Sequence, residues 1–243
     1  MSRWDMRPKL SRRLFLALAG GAMVGPRVCW AAPDAPSLLD HILLGCSDLN
    51  NGISFVEKHL GVRAALGGVH PGAGTKNALL SLGERRYLEI IAPDPAQQDA
   101  NDPRIPTLRK LSEPRLVGWA AHPGDLDQFA AHLRNAGIAF EGPTPGSRKR
   151  LDGRVLHWRT LNLKENPNSL LPFFIEWSAD SLHPSADAPK GLRLVRLGVL
   201  TPDPEGLAKF ANLLSMDISV SRGDGPMLQA TFSGPRGELT ITS

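Results

Sequence analysis

The sequence predicts an α+β fold built from tandem strand-helix-strand-strand-strand units, two of them paired into an open, barrel-like cup and a third, shorter one appended. Three observations predict it. Residues 38–91 and 115–178 repeat one order of features: an apolar strand running into an Asp-Leu helix start, one amphipathic helix, then strands punctuated by Gly and Pro. A shorter copy, opening on an Asp-Pro helix start, closes the chain. The last strand of each of the first two copies carries a carboxylate, Glu89 and Glu176. A repeat that cannot cover its own sheet face needs a neighbour, and two such copies supply one another.

The first unit spans 38–93. Leu38-Leu39-Asp40-His41-Ile42-Leu43-Leu44-Gly45-Cys46 reads as a buried strand, apolar on both faces except at Asp40 and His41. Asp48 is placed to cap a helix whose apolar positions, Leu49, Ile53, Val56 and Leu60, recur at helical spacing before Gly61 stops it. Two strands follow within 62–83, joined through the glycine-rich loop 67–74, and Arg86 to Pro93 reads as the fourth. Residues 94–114, rich in Asp, Gln and Pro, read as a linker.

The second unit, 115–178, starts with the strand Arg115 to Ala121, and Asp125 with Gln128 makes a helix start. Leu126, Phe129, Ala130 and Leu133 form its apolar stripe, and Gly137 ends it. Arg148-Lys149-Arg150 reads as a solvated hairpin tip between two strands, and Leu171 to Trp177 closes the unit. Aligning strand ends sets Glu176 against Glu89. The paired region extends to 182, residues 183–190 read as a linker, and the third unit fills 191–243, with proline at the first helical position after Asp203.

The 243 residues and 42% hydrophobic content suit a full core rather than a disordered chain. The net charge of +4 comes from the N-terminus. The first 31 residues hold six basic side chains (Arg3, Arg7, Lys9, Arg12, Arg13, Arg27) against Asp5 alone, and without them the 28 basic and 24 acidic residues become 22 and 23. A nucleic-acid partner is therefore not expected. Ser11-Arg12-Arg13-Leu14-Phe15-Leu16, followed by an apolar run to Val24 and small residues before Ala32, resembles a twin-arginine export signal, with cleavage after Ala31. That resemblance implies a periplasmic or secreted protein, and the apolar run is too short to span a bilayer. Once the signal and its Cys29 are removed, Cys46 stands alone, so no membrane anchor and no intrachain disulfide are expected.

The paired units resemble the vicinal oxygen chelate superfamily, and within it the glyoxalase-like domain branch. The resemblance rests on the loop His70-Pro71-Gly72-Ala73-Gly74-Thr75-Lys76-Asn77, then Asn-Ala-Leu-Leu-Ser-Leu-Gly and Tyr-Leu-Glu-Ile-Ile-Ala-Pro, and is closest over 38–93. In that superfamily the first and fourth strands of both units point at a divalent metal. The resemblance implies His41, Glu89 and Glu176 as ligands of Zn, Mn, Fe or Ni, with Glu89 and Glu176 also moving protons in catalysis. His70, Asn77, His157 and Trp158 are read as residues meeting the ligand, with His70 and His157 also candidates to replace a missing metal ligand. Gly118, the counterpart of His41 seven residues before the capping Asp, departs from metal-dependent glyoxalase I, which has a ligand there.

Two functions follow as expectations. One is metal-assisted lyase, isomerase or dioxygenase chemistry on a small oxygenated molecule. The other is metal-free sequestration of a small molecule, which Gly118 favours by opening room. A third reading makes the last unit a dimerisation element, with a second copy of the chain as partner. No dinucleotide fingerprint, phosphate loop, Cys-x-x-Cys or nucleophile elbow occurs.

Overall fold

The expected first strand sits where its composition placed it: β1, Leu39–Gly45, is buried along its whole length. A computed structural model describes residues 34–97, 102–150 and 152–243, and the expected export signal lies outside the described residues. Helix α1, Leu49–Leu60, begins where the Asp48 carboxylate accepts from the Asn51 N–H at 3.0 Å and ends at Gly61, whose φ of 81° suits glycine. Its buried face is Leu49, Ile53, Val56 and Leu60, the predicted stripe. Strands β2 (Ala65–His70), β3 (Thr75–Gly83) and β4 (Arg86–Pro93) complete the unit in the order β1-β4-β3-β2.

The segment after β4 contains a short helix, α2, Ile105–Leu108. The second unit then repeats the first: β5 (Arg115–Ala121), α3 (Leu126–Asn135), β6 (Phe140–Lys149), β7 (Val155–Leu163) and β8 (Phe173–Trp177), in the order β5-β8-β7-β6. Asp125 caps α3 by accepting from the N–H groups of Asp127 and Gln128.

The two units join at antiparallel β1 and β5, where His41 pairs with Ala120 and Leu43 with Gly118. That register is self-complementary. It makes Gly118 the counterpart of His41 and Ala120 the counterpart of Leu43, as an approximate twofold between the units requires. The other join is thin, a single pair between Val69 of β2 and Lys149 of β6, and it completes an eight-stranded closed barrel. Side chains of each strand alternate between the barrel interior and an outer face that packs on α1 and α3.

The last segment contains β9 (Arg193–Thr201), α4 (Pro204–Leu213), β10 (Ser219–Arg222), β11 (Met227–Gly234) and β12 (Gly237–Thr242). Its elements follow the expected order along the chain, but its sheet is wired differently. The order is β10-β9-β11-β12, so the first strand lies inside the sheet, whereas β1 ends its own group of four. The apolar side of this sheet belongs to the same core as the outside of the barrel: Leu194, Leu197, Leu228 and Phe232 pack in one cluster with Ile42, Leu44, Val56 and Trp119. Arg236 ties the sheet to α1 by donating to the carbonyls of Glu57 and Lys58, the unsatisfied acceptors of a helix end. The surface that the sequence left in need of a neighbour finds it on the barrel of its own chain.

Cys46, the single described cysteine, is buried, and burial pushes its thiol up to about 12, which leaves it unreactive. Among the described residues no helix is long and apolar enough to cross a membrane.

Candidate functional site

The inward faces of the strands enclose a cavity of about 890 Å³, and one end of it is polar. On β1, strand alternation points His41 and Leu43 inward and Ile42 and Leu44 outward. An extra residue in the β1–β5 ladder between Leu39 and His41 brings the Asp40 side chain round to the imidazole, and Asp40 Oδ1 lies 2.7 Å from His41 Nδ1. Tyr87, its neighbour on β4, stacks on the ring with centroids 4.5 Å apart, which fixes the ring plane. With Nδ1 held at Asp40, the other ring nitrogen of His41, Nε2, faces the cavity.

Asp40 is 1% exposed, and both of its oxygens have partners. Trp177 donates its indole N–H to Oδ2 at 3.1 Å, and His183 Nε2 lies 3.2 Å from the same atom. Burial pushes the Asp40 carboxyl up, but hydrogen bonds and charge from His183 and His41 outweigh it and hold the group well below the usual carboxylate range. His183 comes from the segment 183–190 expected as a linker. That segment instead folds onto the barrel, with His183 and Ser185 buried.

Glu89 faces the same space from β4. Its Oε2 is 3.5 Å from His41 Nε2, and its Oε1 accepts from the Asn77 amide at 2.8 Å and lies 3.8 Å from His70 Nε2. Burial raises its pKa, but the neighbouring His41 and His70, the Asn77 hydrogen bond and the charge of Arg148 outweigh it and hold the carboxyl below its usual range, so Glu89 is ionised at neutral pH. His70, bonded through Nδ1 to the Thr75 hydroxyl at 2.9 Å, is held by burial at about 4 and is neutral at pH 7.

The structure thus brings His41, His70, Asn77, Glu89 and Trp158 to one cavity. It does not bring Glu176 or His157 there. Glu176 is on the outer face of β8, paired with Arg159, which also binds Asp127 of α3 at 2.9 Å. Alignment by strand ends put it opposite Glu89, but the pairing register says otherwise: Leu43 pairs with Glu89, and Ala120, the counterpart of Leu43, pairs with Phe173. Phe173 therefore holds the place of Glu89 in the second unit. Glu176 is three positions further on, an odd shift that turns a strand residue to the opposite face. His157 is turned outward by the same alternation, because its neighbour Trp158 points inward.

The four positions implied for a metal are accordingly His41, Glu89, Gly118 and Phe173, and the last two offer no donor atom. Among the described residues no group of three or more His, Cys, Asp or Glu could hold a metal ion. The residues present do not fit that site. Gly118 itself adopts a φ of 147°, a conformation that side-chain-bearing residues avoid, although a Cβ there would meet only Ser169, at 3.7 Å.

Sequence reasoning missed four participants. Asp40 was visible only as a second polar residue in an apolar strand. Asp102 and Arg104, assigned to a linker, pair at 2.7 Å and line the cavity. Arg148 was read as part of a solvated tip, but β6 runs on to Lys149 and alternation turns Arg148 inward, where it is 2% exposed. Arg148 lies two positions after Gly146 on the same face of β6, a relation hidden in the sequence because the strand end is set by pairing with β7.

Comparison with solved structures gives similar folds at low identity. A hypothetical protein from Staphylococcus aureus is 17% identical, with 84% of each chain covered and a TM-score of 0.59. Methylmalonyl-CoA epimerase from Mycobacterium tuberculosis is 20% identical over 61% of this chain and 92% of its own, with a TM-score of 0.41. A variant of the Streptomyces coelicolor methylmalonyl-CoA epimerase in complex with 2-nitronate-propionyl-CoA is 19% identical over 62% and 99%, with a TM-score of 0.43. A comparison with curated proteins gave no match. The model of the glyoxalase-like domain matches residues 39–214, from β1 to the end of α4, and the chain belongs to that family.

Proposed function

We propose that this glyoxalase-like protein takes one small oxygenated molecule into its barrel and moves a proton on it, as an isomerase or lyase does, with His41 as the proton carrier. The observation that carries the reading is the Asp40–His41 pair at 2.7 Å, whose second ring nitrogen faces the cavity beside ionised Glu89. When Nε2 takes a proton from carbon next to a carbonyl, the C–H electron pair passes to the carbonyl oxygen. The imidazolium so formed has a carboxylate on either side, Asp40 and Glu89. Return of the proton to carbon completes an isomerisation. Positioned acid–base groups of this kind contribute about 10²–10⁴ in rate.

The second reading, sequestration without chemistry, is supported by Gly118, which leaves room in the cavity, and by Phe173, which puts an apolar ring where the family resemblance implied a ligand. Proton exchange separates the two. The full chain is incubated in D₂O with pyruvate, phenylpyruvate or acetoacetate, and loss of the proton signal next to the carbonyl is followed by NMR. Exchange above the buffer rate that is lost in His41→Gln supports proton transfer. Binding without exchange by any of them overturns it in favour of sequestration. Elemental analysis of the same preparation tests the metal-assisted form of the reaction. Export through the twin-arginine route remains part of the proposal, supported by Ser11 to Leu16 and tested by cell fractionation.

A further inference from the structure

Arg148 is a buried cation with no carboxylate within ion-pair distance among the described residues. It is 2% exposed, lines the cavity, and makes one hydrogen bond, from Nη1 to Asn77 Oδ1 at 2.7 Å. A guanidinium has five N–H donors, and burying its charge unpaired is costly. Glu89, which feels the charge of Arg148, is kept apart from it by Asn77, whose amide nitrogen donates to Glu89 and whose carbonyl accepts from Arg148. This arrangement is built into the backbone. Gly67 lies at a register shift in the β2–β3 ladder, and a Cβ there would sit 2.3 Å from Asn77 Oδ1 and 2.4 Å from Arg148 Nη1. Glycine at that position is what lets the Asn77–Arg148 contact form beneath β2.

We infer that Arg148 is the anchor for a carboxylate on the ligand, held while the rest of the molecule lies against the aromatic wall of Trp158, Phe173 and Trp177. The inference rests on the reading of the barrel as a small-molecule site and names the class of molecule it takes. A carboxylate matches the planar fork of a guanidinium and supplies one negative charge to one unpaired cation. A phosphate dianion calls for more positive charge, and the other arginine facing the cavity, Arg104, is already paired with Asp102. The wall is aromatic: the Trp158 and Trp177 rings lie 5.4 Å apart, tilted at 56° to one another, and Phe173 meets His41 edge-on at 5.4 Å. The ligand class is therefore a monocarboxylate with a planar or apolar body, its carboxylate at Arg148 and its reacting carbon toward His41.

The test measures binding, which does not depend on turnover. The full chain is titrated with benzoate, benzamide and inorganic phosphate by calorimetry, with tryptophan fluorescence as a second readout. Benzoate is expected to bind about tenfold or more tighter than benzamide, the difference a charge-assisted hydrogen-bonded pair makes, and phosphate more weakly than benzoate. Arg148→Gln is expected to remove the preference for benzoate while leaving benzamide binding unchanged. Gly67→Ala, which disturbs Arg148 without altering any charge, is expected to reduce the same preference. Equal affinity for benzoate and benzamide, tighter binding of phosphate, no binding of benzoate, or a preference that survives Arg148→Gln in a folded protein each overturns the assignment. Because the anchor and the proton carrier are different residues, absence of a benzoate preference in the parent protein with its proton exchange intact sinks the anchor alone. Carboxylate binding without exchange sinks the proton-transfer reading alone.

Discussion

Asp40 and His41 are consecutive residues of one strand, yet their side chains hydrogen-bond to each other at 2.7 Å. In a regular strand they would point to opposite faces. The extra residue between Leu39 and His41, opposite Ala121 and Ala120, removes that alternation locally and turns a core position into an acid–base pair.

Asp40→Asn is expected to destabilise the protein by about 2 kcal/mol at neutral pH, since the buried site keeps its shape but loses a charged acceptor for two imidazoles and an indole. The folded carboxyl is held below its unfolded value, so its contribution is complete above the unfolded pKa of about 4 and is lost as pH falls toward the folded one. Thermal melts from pH 7 down to pH 3 should therefore show a steeper loss below about pH 4 in the parent than in the variant. Parallel curves would contradict this account.

His70 gives a second, separable pH dependence. Its folded pKa of about 4 lies below the unfolded histidine value of about 6.5, so between them the unfolded chain binds the extra proton. Stability from this group is full above about pH 6.5 and falls as the pH is lowered toward 4. Urea midpoints should decline across that window, and His70→Gln should flatten the decline. An NMR titration of the ring that turns over at an ordinary histidine midpoint would refute it.

Gly118→Ala is expected to destabilise by about 1–2 kcal/mol even though the added methyl meets only Ser169, at 3.7 Å. The cost comes from the φ of 147°, not from crowding. A urea denaturation showing no change would mean that the strand relaxes there.

The residues of this chain determined its local structure. Asp48 and Asp125 as caps, Gly61 as a stop and the stripes on α1 and α3 are short-range effects, written into neighbouring residues, and they appear in the structure as read. The repeat likewise made the pairing of two units legible, and with it the placement of His41 and Glu89 in one hollow, because they lie on the first and last strands of one unit. What only the tertiary structure decided depends on register and on partners distant in the chain. Ladder pairing, not strand ends, put Phe173 instead of Glu176 opposite Glu89, and a shift of three residues reversed the face. A bulge brought Asp40 to His41, a glycine let Arg148 reach Asn77, and the last sheet found its cover on the barrel rather than copying its wiring. Hydrophobic spacing records which side of an element is apolar, but one inserted residue changes which side chains meet, and that is fixed only when the strands pair.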